Sequence, residues 1–561
     1  MIAGLFRFKG GIKPETHKNA SAGSPIQIAP LPKQLIVPLR QSPRATAECI
    51  VVPGQKVLKG ERIGLPDSPL STAVHAPTSG TVVEITPHAM AHASGLQTRC
   101  VVIEPDGDER WIDRPTLDYA SASPKEALAW LRDHGIVGLG GATFPSHIKA
   151  GVDGGIETLI LNGAECEPWI TCDDRLMRER ADGIVAGALI LKHLTGAREI
   201  VFGVEDNKPQ AIEALRTAIH GLSGDITVIP VPSLYPAGGE KQLIRVLTGV
   251  EIPHGKLGGD FGVQCFNVGT AYAVNRAINH GEPLVSRVMT VTGNVEKPGN
   301  FEVLIGTPVE ALLALGQPKP DTGRILMGGP MMGFELPRLD VPATKATNCL
   351  IATSPTLFPP PPPEMNCIRC GACAAACPAE LQPFELYWFS RARNFGKAQE
   401  YHLFDCIECG CCSYVCPSHI RLVDYYRFAK GEIWAREREK SAADAARERF
   451  EFRNERQARE KREKAEKLAA KAAATKAKLA ASSADAPAAA AASSDAPAGP
   501  DDAKRALIAA ALERAKAQKA AIEPKNTDAL TPDQAAQVAE ADERRAAKAA
   551  TDTAADAPES N

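Results

Sequence analysis

Cys367-Ile-Arg-Cys370-Gly-Ala-Cys373-Ala-Ala-Ala-Cys377-Pro378 recurs as Cys406-Ile-Glu-Cys409-Gly-Cys-Cys412-Ser-Tyr-Val-Cys416-Pro417. The offset is 39 at both ends of the motif (367 to 406, 377 to 416). Both copies read C-x2-C-x2-C-x3-C-P, the spacing of bacterial [4Fe–4S] loops. Such a cluster needs four thiolates at tetrahedral positions. A tight loop supplies three, and the cysteine leaving the partner loop supplies the fourth. The crossing assigns Cys367, Cys370, Cys373 and Cys416 to one cluster, and Cys406, Cys409, Cys412 and Cys377 to the other. Two neighbouring clusters make a short path for single electrons. Zinc or disulfides are the alternative, but zinc favours C-x2-C pairs set further apart and has no use for a third cysteine or a trailing proline. Cys411 is off-pattern and reads as a spectator. Cys49, Cys100, Cys166, Cys172, Cys265 and Cys349 show no ligand spacing and read as small apolar residues.

A chain of 561 residues is too long for one core, so several domains are expected. The net charge of −3 argues against a nucleic-acid partner. No apolar run approaches the roughly 18–20 residues of a membrane span; the best, 184–191, is short and is followed by Lys192 and His193. The N-terminus has no signal-peptide apolar core, and free thiols suit a reducing compartment. The expected location is the cytoplasm, or the cytoplasmic side of a membrane as a peripheral protein.

Outward from the cysteines the composition changes in blocks. Residues 1–115 are rich in Pro, Gly and Val, with short strands at 51–60 and 74–85 separated by turns. This block resembles a barrel-sandwich domain of the biotinyl/lipoyl kind. Its tip, Ala76-Pro-Thr-Ser-Gly80, offers no lysine for a covalent cofactor, so a structural module is expected. Residues 120–285 alternate. A helix opens at Ser123-Pro124 and runs to 134, with further helices at 174–193 and 208–220 and strands at 158–162, 199–204 and 226–230. The alternation implies an α/β domain with a largely parallel sheet. Residues 286–350 suggest a small α+β domain with strands at 288–293, 300–305 and 324–329 and a helix at 308–315. Pro359 to Pro363 form a stiff linker opening the 359–430 cluster module. The tail, 431–561, reads as a solvated, charge-paired helix over 432–480, a disordered stretch over 481–501, a second helix over 502–522 and a low-complexity end.

Two loops of the α/β block carry chemistry. The first is Gly138-Leu-Gly140-Gly141-Ala-Thr143-Phe144-Pro145 with Lys149 beyond it. Glycines admit a phosphate close to the backbone, and a following helix start offers free N–H groups. Thr143 replaces the last glycine of G-x-G-x-x-G and no strand directly precedes, so an ordinary Gly-rich turn fits the loop equally. The second is Asn162-Gly-Ala164-Glu165-Cys-Glu167-Pro168, directly after a strand. Acidic groups there can bond ribose hydroxyls, or form a solvated turn.

Together these loops resemble the NADH-binding flavoprotein subunit of respiratory complex I, with its R-G-R-G-G-A-G-F-P…K and N-A-D-E-G-E-P segments. Tyr235-Pro-Ala-Gly238-Gly239-Glu240 and Asn267-Val-Gly-Thr270 are similar to that family's Y-x-C-G-E-E and N-V-E-T. The resemblance implies that Gly138, Gly140, Gly141, Phe144, Lys149, Asn162, Tyr235, Gly238, Glu240 and Asn267 line a non-covalent FMN. It implies that Glu165 and Glu167 face the nicotinamide nucleotide as the catalytic pair. Ala164 and Gly239 depart from the pattern.

The whole order resembles the RnfC family, the C subunit of an ion-translocating, membrane-bound oxidoreductase complex, over residues 1–430, and Phe8-Lys-Gly10-Gly11-Ile12-Lys-Pro14-Glu15 is similar to its opening. The implied fold is multidomain α/β: barrel-sandwich, Rossmann-like FMN/NADH domain, β-grasp (SLBB-type) domain, two-[4Fe–4S] ferredoxin module and helical or disordered tail. The implied function is NADH oxidation at the cytoplasmic face of the inner membrane. A flavin is required between a hydride donor and one-electron clusters. The implied partners are integral membrane and ferredoxin-like subunits. Two alternatives stay open: a soluble cobalamin reductase, in which the barrel-sandwich is expected near the C-terminus, and a flavin-free electron relay.

Overall fold

A computed structural model describes residues 5–41, 45–152, 155–222, 224–483, 509–510 and 513–514. The chain divides into two units, 1–447 and 448–561. In the first, the N-terminal block is a small barrel-sandwich. One sheet orders Leu35–Pro38, Gln97–Pro105, Gly80–Ala89 and Lys56–Val57; the other orders Ala47–Cys49, Arg62–Pro66 and Val74–His75. Alternating residues such as Leu35, Val37, Val101 and Ile103 close the space between them. The 76–80 tip is buried, with Thr78 and Ser79 fully inaccessible.

The α/β domain is built on four parallel strands in the order Asp225–Val231, Glu199–Glu205, Thr158–Gly163, Val263–Asn267. The helix Pro124–Asp133 starts as expected, on a Ser123/Glu126 capping box. Two expectations need correcting. The helix expected over 174–193 is two, Cys172–Glu179 and Ala181–Thr195. Arg180 leaves helical geometry (φ −135°) and sends its guanidinium to the Tyr272 hydroxyl and the Glu302 carboxylate. The strand Val263–Asn267 was not expected, because Gln264 interrupts its apolar run. Gln264 is buried and donates to the Lys149 carbonyl at 2.9 Å, so its polar group is satisfied inside the sheet.

The third domain is a six-stranded mixed sheet: Gln27–Ile28, Gly299–Leu304, Ser286–Gly293, Cys349–Ala352, Ile325–Met327, Phe334–Glu335, with the helix Val309–Gly316 packed on it. Its edge strand comes from the N-terminal segment, and Cys349–Ala352 lies parallel to Ser286–Gly293.

The cysteine repeat is also a backbone repeat. Positive φ occurs at Arg369 and Glu408, Gly371 and Gly410, and Glu380 and His419, each pair at the same sequence offset. Four-residue helices Ala372–Ala375 and Cys411–Tyr414 follow the two glycines. The helix Leu422–Ser483 begins inside this module, where Val423, Tyr426, Ala429 and Ile433 are buried. In the second unit its described side chains are exposed from 448 to 478. The expected disordered stretch over 481–501 and second helix over 502–522 lie almost entirely outside the described residues. No helix among the described residues is long and apolar enough to cross a membrane.

Candidate flavin and iron–sulfur sites

In an open parallel sheet, ligands bind beyond the carboxyl ends of the strands where the strand order reverses. Here the reversal lies between Thr158–Gly163 and Val263–Asn267, which end their pairing with Asn162 and Asn267 opposite one another. Asn267 caps the helix Val268–His280: Oδ1 accepts from the Gly269 amide (2.9 Å) and the Thr270 amide (3.3 Å). The glycine loop is laid across that helix start. Leu139 N–H donates to Thr270 Oγ1 (2.9 Å), Gly138 N–H donates to the Phe144 carbonyl (2.8 Å), and a Cβ on Gly140 would lie 3.3 Å from Asn267. Gly141 has φ +117° and open space where a side chain would stand. Phe144 is 41% exposed.

The remaining flavin candidates join by direct bonds. Asn162 Nδ2 donates to the Gly238 carbonyl (2.9 Å), and a Cβ on Gly238 would meet the Ala164 carbonyl at 2.2 Å. Lys149 Nζ donates to Glu240 Oε2 (2.7 Å) and sits over the Phe266 ring. A glycine loop on a helix N-terminus with a lysine at its edge suits a phosphate-bearing ligand. Tyr235 is placed differently from the others. It is buried, and its hydroxyl donates to the Cys409 carbonyl of the cysteine module at 2.7 Å.

Glu165 and Glu167 are both engaged by protein groups. Glu165 Oε1 accepts from the Asp173 amide (2.8 Å) and Oε2 from the Asp174 amide (3.4 Å), at the start of the Cys172–Glu179 helix. Burial raises its pKa to about 7, against the pull of the Lys18 ammonium. Glu167 Oε1 accepts from the amides of Met331 (2.7 Å) and Met332 (2.9 Å) in the third domain. Burial raises this carboxyl too, and the two amides oppose the rise. Sequence reasoning missed the cations beneath this loop. Lys18 is buried and donates to the carbonyls of Glu165 (2.7 Å), Glu167 (2.9 Å) and Ile170 (2.6 Å). Lys208 pairs with Glu205, and despite burial the Glu205 and Glu165 carboxylates hold its ammonium above the ordinary value. Asp173, which receives the Asn267 Nδ2 donor at 2.7 Å, is raised by burial. None of these has a sequence spacing that would announce it.

The eight motif cysteines line two cavities. One is lined by Cys367, Cys370, Cys373 and Cys416, the other by Cys377, Cys406, Cys409 and Cys412. Each set takes three thiols from one loop and one from the other, the crossed grouping of the sequence. Amides point at two of the sulfurs: Leu381 N–H to Cys377 Sγ and Glu408 N–H to Cys406 Sγ, both 3.4 Å. Four convergent thiols with N–H···S donors suit an iron–sulfur cluster. The cavities differ in cover. A Cβ on Gly371 would meet nothing, whereas one on Gly410 would lie 2.8 Å from the Met331 carbonyl. Cys370 is exposed and Ile368 is 68% exposed, while Cys409 and Cys412 are buried. Cys411 is buried and lines the second cavity as a fifth thiol.

Comparison with known proteins follows the same four parts. Residues 6–108 match the RnfC barrel sandwich hybrid domain, 131–276 the Nuo51 FMN-binding domain, 288–335 the SLBB domain and 366–420 the 4Fe-4S dicluster domain. The C subunit of the ion-translocating oxidoreductase complex of Yersinia pestis bv. Antiqua (strain Antiqua) is 48% identical over 459 residues, covering 81% of this chain and 74% of that protein. The chain belongs to this RnfC family of ion-translocating oxidoreductase complex C subunits. Its counterpart from Serratia proteamaculans (strain 568) is also 48% identical, over 72% of this chain, and there the match spans 57% of the relative's length. A chain of an NAD+-reducing [NiFe]-hydrogenase crystal structure aligns at TM-score 0.40 and 17% identity, over 55% of this chain and 63% of that one, too weak a likeness to carry an argument. In this RnfC-family chain, the matches to an FMN-binding domain and a dicluster domain lie in one polypeptide.

Proposed function

We propose that this chain accepts a hydride from NADH at an FMN site in the α/β domain and passes single electrons outward through two [4Fe–4S] clusters. One NADH yields NAD+, a proton and two electrons, which leave singly. FMN, when bound, supplies the conversion between hydride and single-electron chemistry. The 138–144 loop and the Val268–His280 helix start would hold the flavin phosphate, with Lys149, Glu240, Asn162, Gly238 and Asn267 around the rest. The acidic loop, with Glu165 and Glu167 shaping it, forms the nucleotide side.

The observation that carries the reading is the direct bond from Tyr235, in the α/β domain, to the Cys409 carbonyl. It seats the Cys377/Cys406/Cys409/Cys412 cavity against the domain that matches the FMN model. The Cys367/Cys370/Cys373/Cys416 cavity then lies at the open end, which orders the two sets from inside to outside. Electrons leave there to partner subunits of a membrane-bound complex that moves ions. The chain itself sits peripherally on the cytoplasmic side of the inner membrane, in keeping with the lack of a spanning helix among its described residues. The N-terminal position of the barrel-sandwich domain favours this over a cobalamin reductase.

The test is the purified chain's flavin spectrum together with iron and acid-labile sulfide. The expected result is one FMN, about eight iron and about eight sulfide per chain, with the flavin bleached by NADH. Stoichiometric zinc without sulfide would overturn the cluster assignment. Clusters without any flavin would leave the electron-relay reading in its place.

A further inference from the structure

The opening segment, with its two adjacent glycines, ends at the Lys18 that lies beneath the acidic loop, and on the way it touches nearly all of the sites above. Phe6 N–H donates to the Val246 carbonyl and Arg245 Nε donates to the Arg7 carbonyl, fixing the start to the α/β domain. Lys9 Nζ then reaches Glu380 (2.6 Å) in the cysteine module. Gly11 N–H donates to the Ala376 carbonyl (3.0 Å), one residue before Cys377. Ile12 and Tyr235 exchange a pair of backbone bonds (2.8 and 3.0 Å), returning the segment to the α/β domain. Thr16 accepts from the Trp169 amide, His17 stacks on the Trp169 ring at 4.4 Å, and Lys18 ends in the three carbonyls of the acidic loop.

Within this run, both glycines hold left-handed backbone, at φ +72° and +82°. At Gly10 space is also short. A Cβ there would stand 2.6 Å from the carbonyl carbon and oxygen of Cys377 and 2.7 Å from the Ala376 oxygen. Such a contact is with backbone, so it cannot be relieved by turning a side chain. The strap is therefore pressed flat on the turn that carries the crossing cysteine of the inner set.

We propose that residues 6–18 are a positioning strap that registers the Cys377/Cys406/Cys409/Cys412 set against the α/β domain, with Gly10 as its positioning residue for the electron step between them. The proposal rests on the reading of the cysteine sets as clusters beside a flavin. Electron transfer falls steeply with separation, so its rate follows the fraction of molecules in which strap and module are docked. Hydride transfer at the flavin does not depend on that contact.

The test is stopped-flow mixing of the loaded full chain with NADH, following flavin bleaching and cluster bleaching separately. Gly10→Ala is expected to leave the flavin phase unchanged and slow the cluster phase about tenfold, the scale set by a Cβ in left-handed backbone. Lys9→Ala, at an exposed position that cannot cost the fold, is expected to slow the same phase about twofold. Gly23→Ala, whose Cβ meets nothing, is the control. Unchanged cluster phases in both Gly10→Ala and Lys9→Ala would overturn the strap while leaving the proposed function intact. A wild-type chain with no cluster phase would overturn the underlying reading, and the strap with it.

Discussion

Replacing Glu167 separates the clamp that its carboxylate makes in the structure from the nucleotide contact proposed for it. Its Oε1 holds the Met331 and Met332 amides, which ties the acidic loop to the third domain. A Cβ on Gly329 would lie 1.9 Å from Glu167 Cγ, so the loop bearing those methionines is built round this side chain. Glutamine keeps an acceptor oxygen in the same place but removes the charge. Alanine removes both and leaves two amides without partners. The Met331 bond is part-buried, and its amide costs about 1–3 kcal/mol when stranded, whereas the Met332 bond is exposed and its amide can turn to water, so Glu167→Ala is expected to lose on the order of 1–3 kcal/mol of unfolding free energy. Glu167→Gln trades a charge-assisted bond for a neutral one and relieves the burial of the charge, so its stability is expected to change by under about 1 kcal/mol. If the carboxylate also meets the nucleotide, a lost charged hydrogen bond of about 1.5–3 kcal/mol lowers kcat/KM for NADH about 10- to 100-fold. The assay pairs denaturant unfolding of each variant with NADH-dependent reduction of an artificial acceptor and with flavin content, which should stay intact in Glu167→Gln. Full NADH oxidation by Glu167→Gln would refute the placement of this loop on the nucleotide side. An unshifted midpoint for Glu167→Ala would refute the clamp.

Two further outcomes follow from burial. Lys345 is fully buried, and its ammonium donates to the Gly135 carbonyl at 2.7 Å; burial lowers its pKa from 10.5 to about 7. The unfolded chain binds this proton more readily, so stability present above pH 10.5 is lost as pH falls through about 7. Urea midpoints at pH 7 and pH 10 should differ in the wild type and differ less in Lys345→Met; an identical pH slope in both would remove Lys345 from the account. For the tail, a chain ending at 447 should retain flavin, clusters and NADH oxidation, since the described side chains over 448–478 are exposed. A cut near 435 would instead remove Arg436 from over the Phe395 ring and end the helix one residue past Trp434, which packs by Phe404. Cluster loss in the 447 truncation would show that the tail contributes to the module.

What could be read in the sequence was chemistry that repeats or lies close along the chain. Cluster ligation needs four thiols in two short loops, so spacing alone paired Cys377 with the second loop and Cys416 with the first, and the two cavities group the cysteines the same way. The capping box at Ser123 is legible for the same reason, since both partners lie within one helical turn. The strand Val263–Asn267 was illegible because its buried glutamine is satisfied by the Lys149 carbonyl, far back in the chain. Without that strand the reversal of strand order, and so the location of the crevice, could not be placed. The strap was harder still. Lys9 and Glu380 are 371 residues apart, and Lys18 reaches a loop about 150 residues away.

The same distance argument bears on the two departures from the complex I pattern. The Ala164 carbonyl stands so close to Gly238 that a Cβ there would meet it at 2.2 Å, and a Cβ on Gly239 would meet Gln242 Oε1 at 2.5 Å. These positions belong to one tight contact between the acidic loop and the start of the Glu240–Thr248 helix, a contact also held by Asn162. An aspartate at 164 would have to fit under that contact, where Ala164 is already buried. A side chain at 239 needs only that the flexible end of Gln242 turn aside. The position closed by backbone is Gly238, against the Ala164 carbonyl, and Asn162 bonds the Gly238 carbonyl across the same contact. Of the two departures, Ala164 is therefore the one that packing accounts for, because it is buried where the loop meets the helix start, whereas Gly239 answers only to one side-chain rotamer.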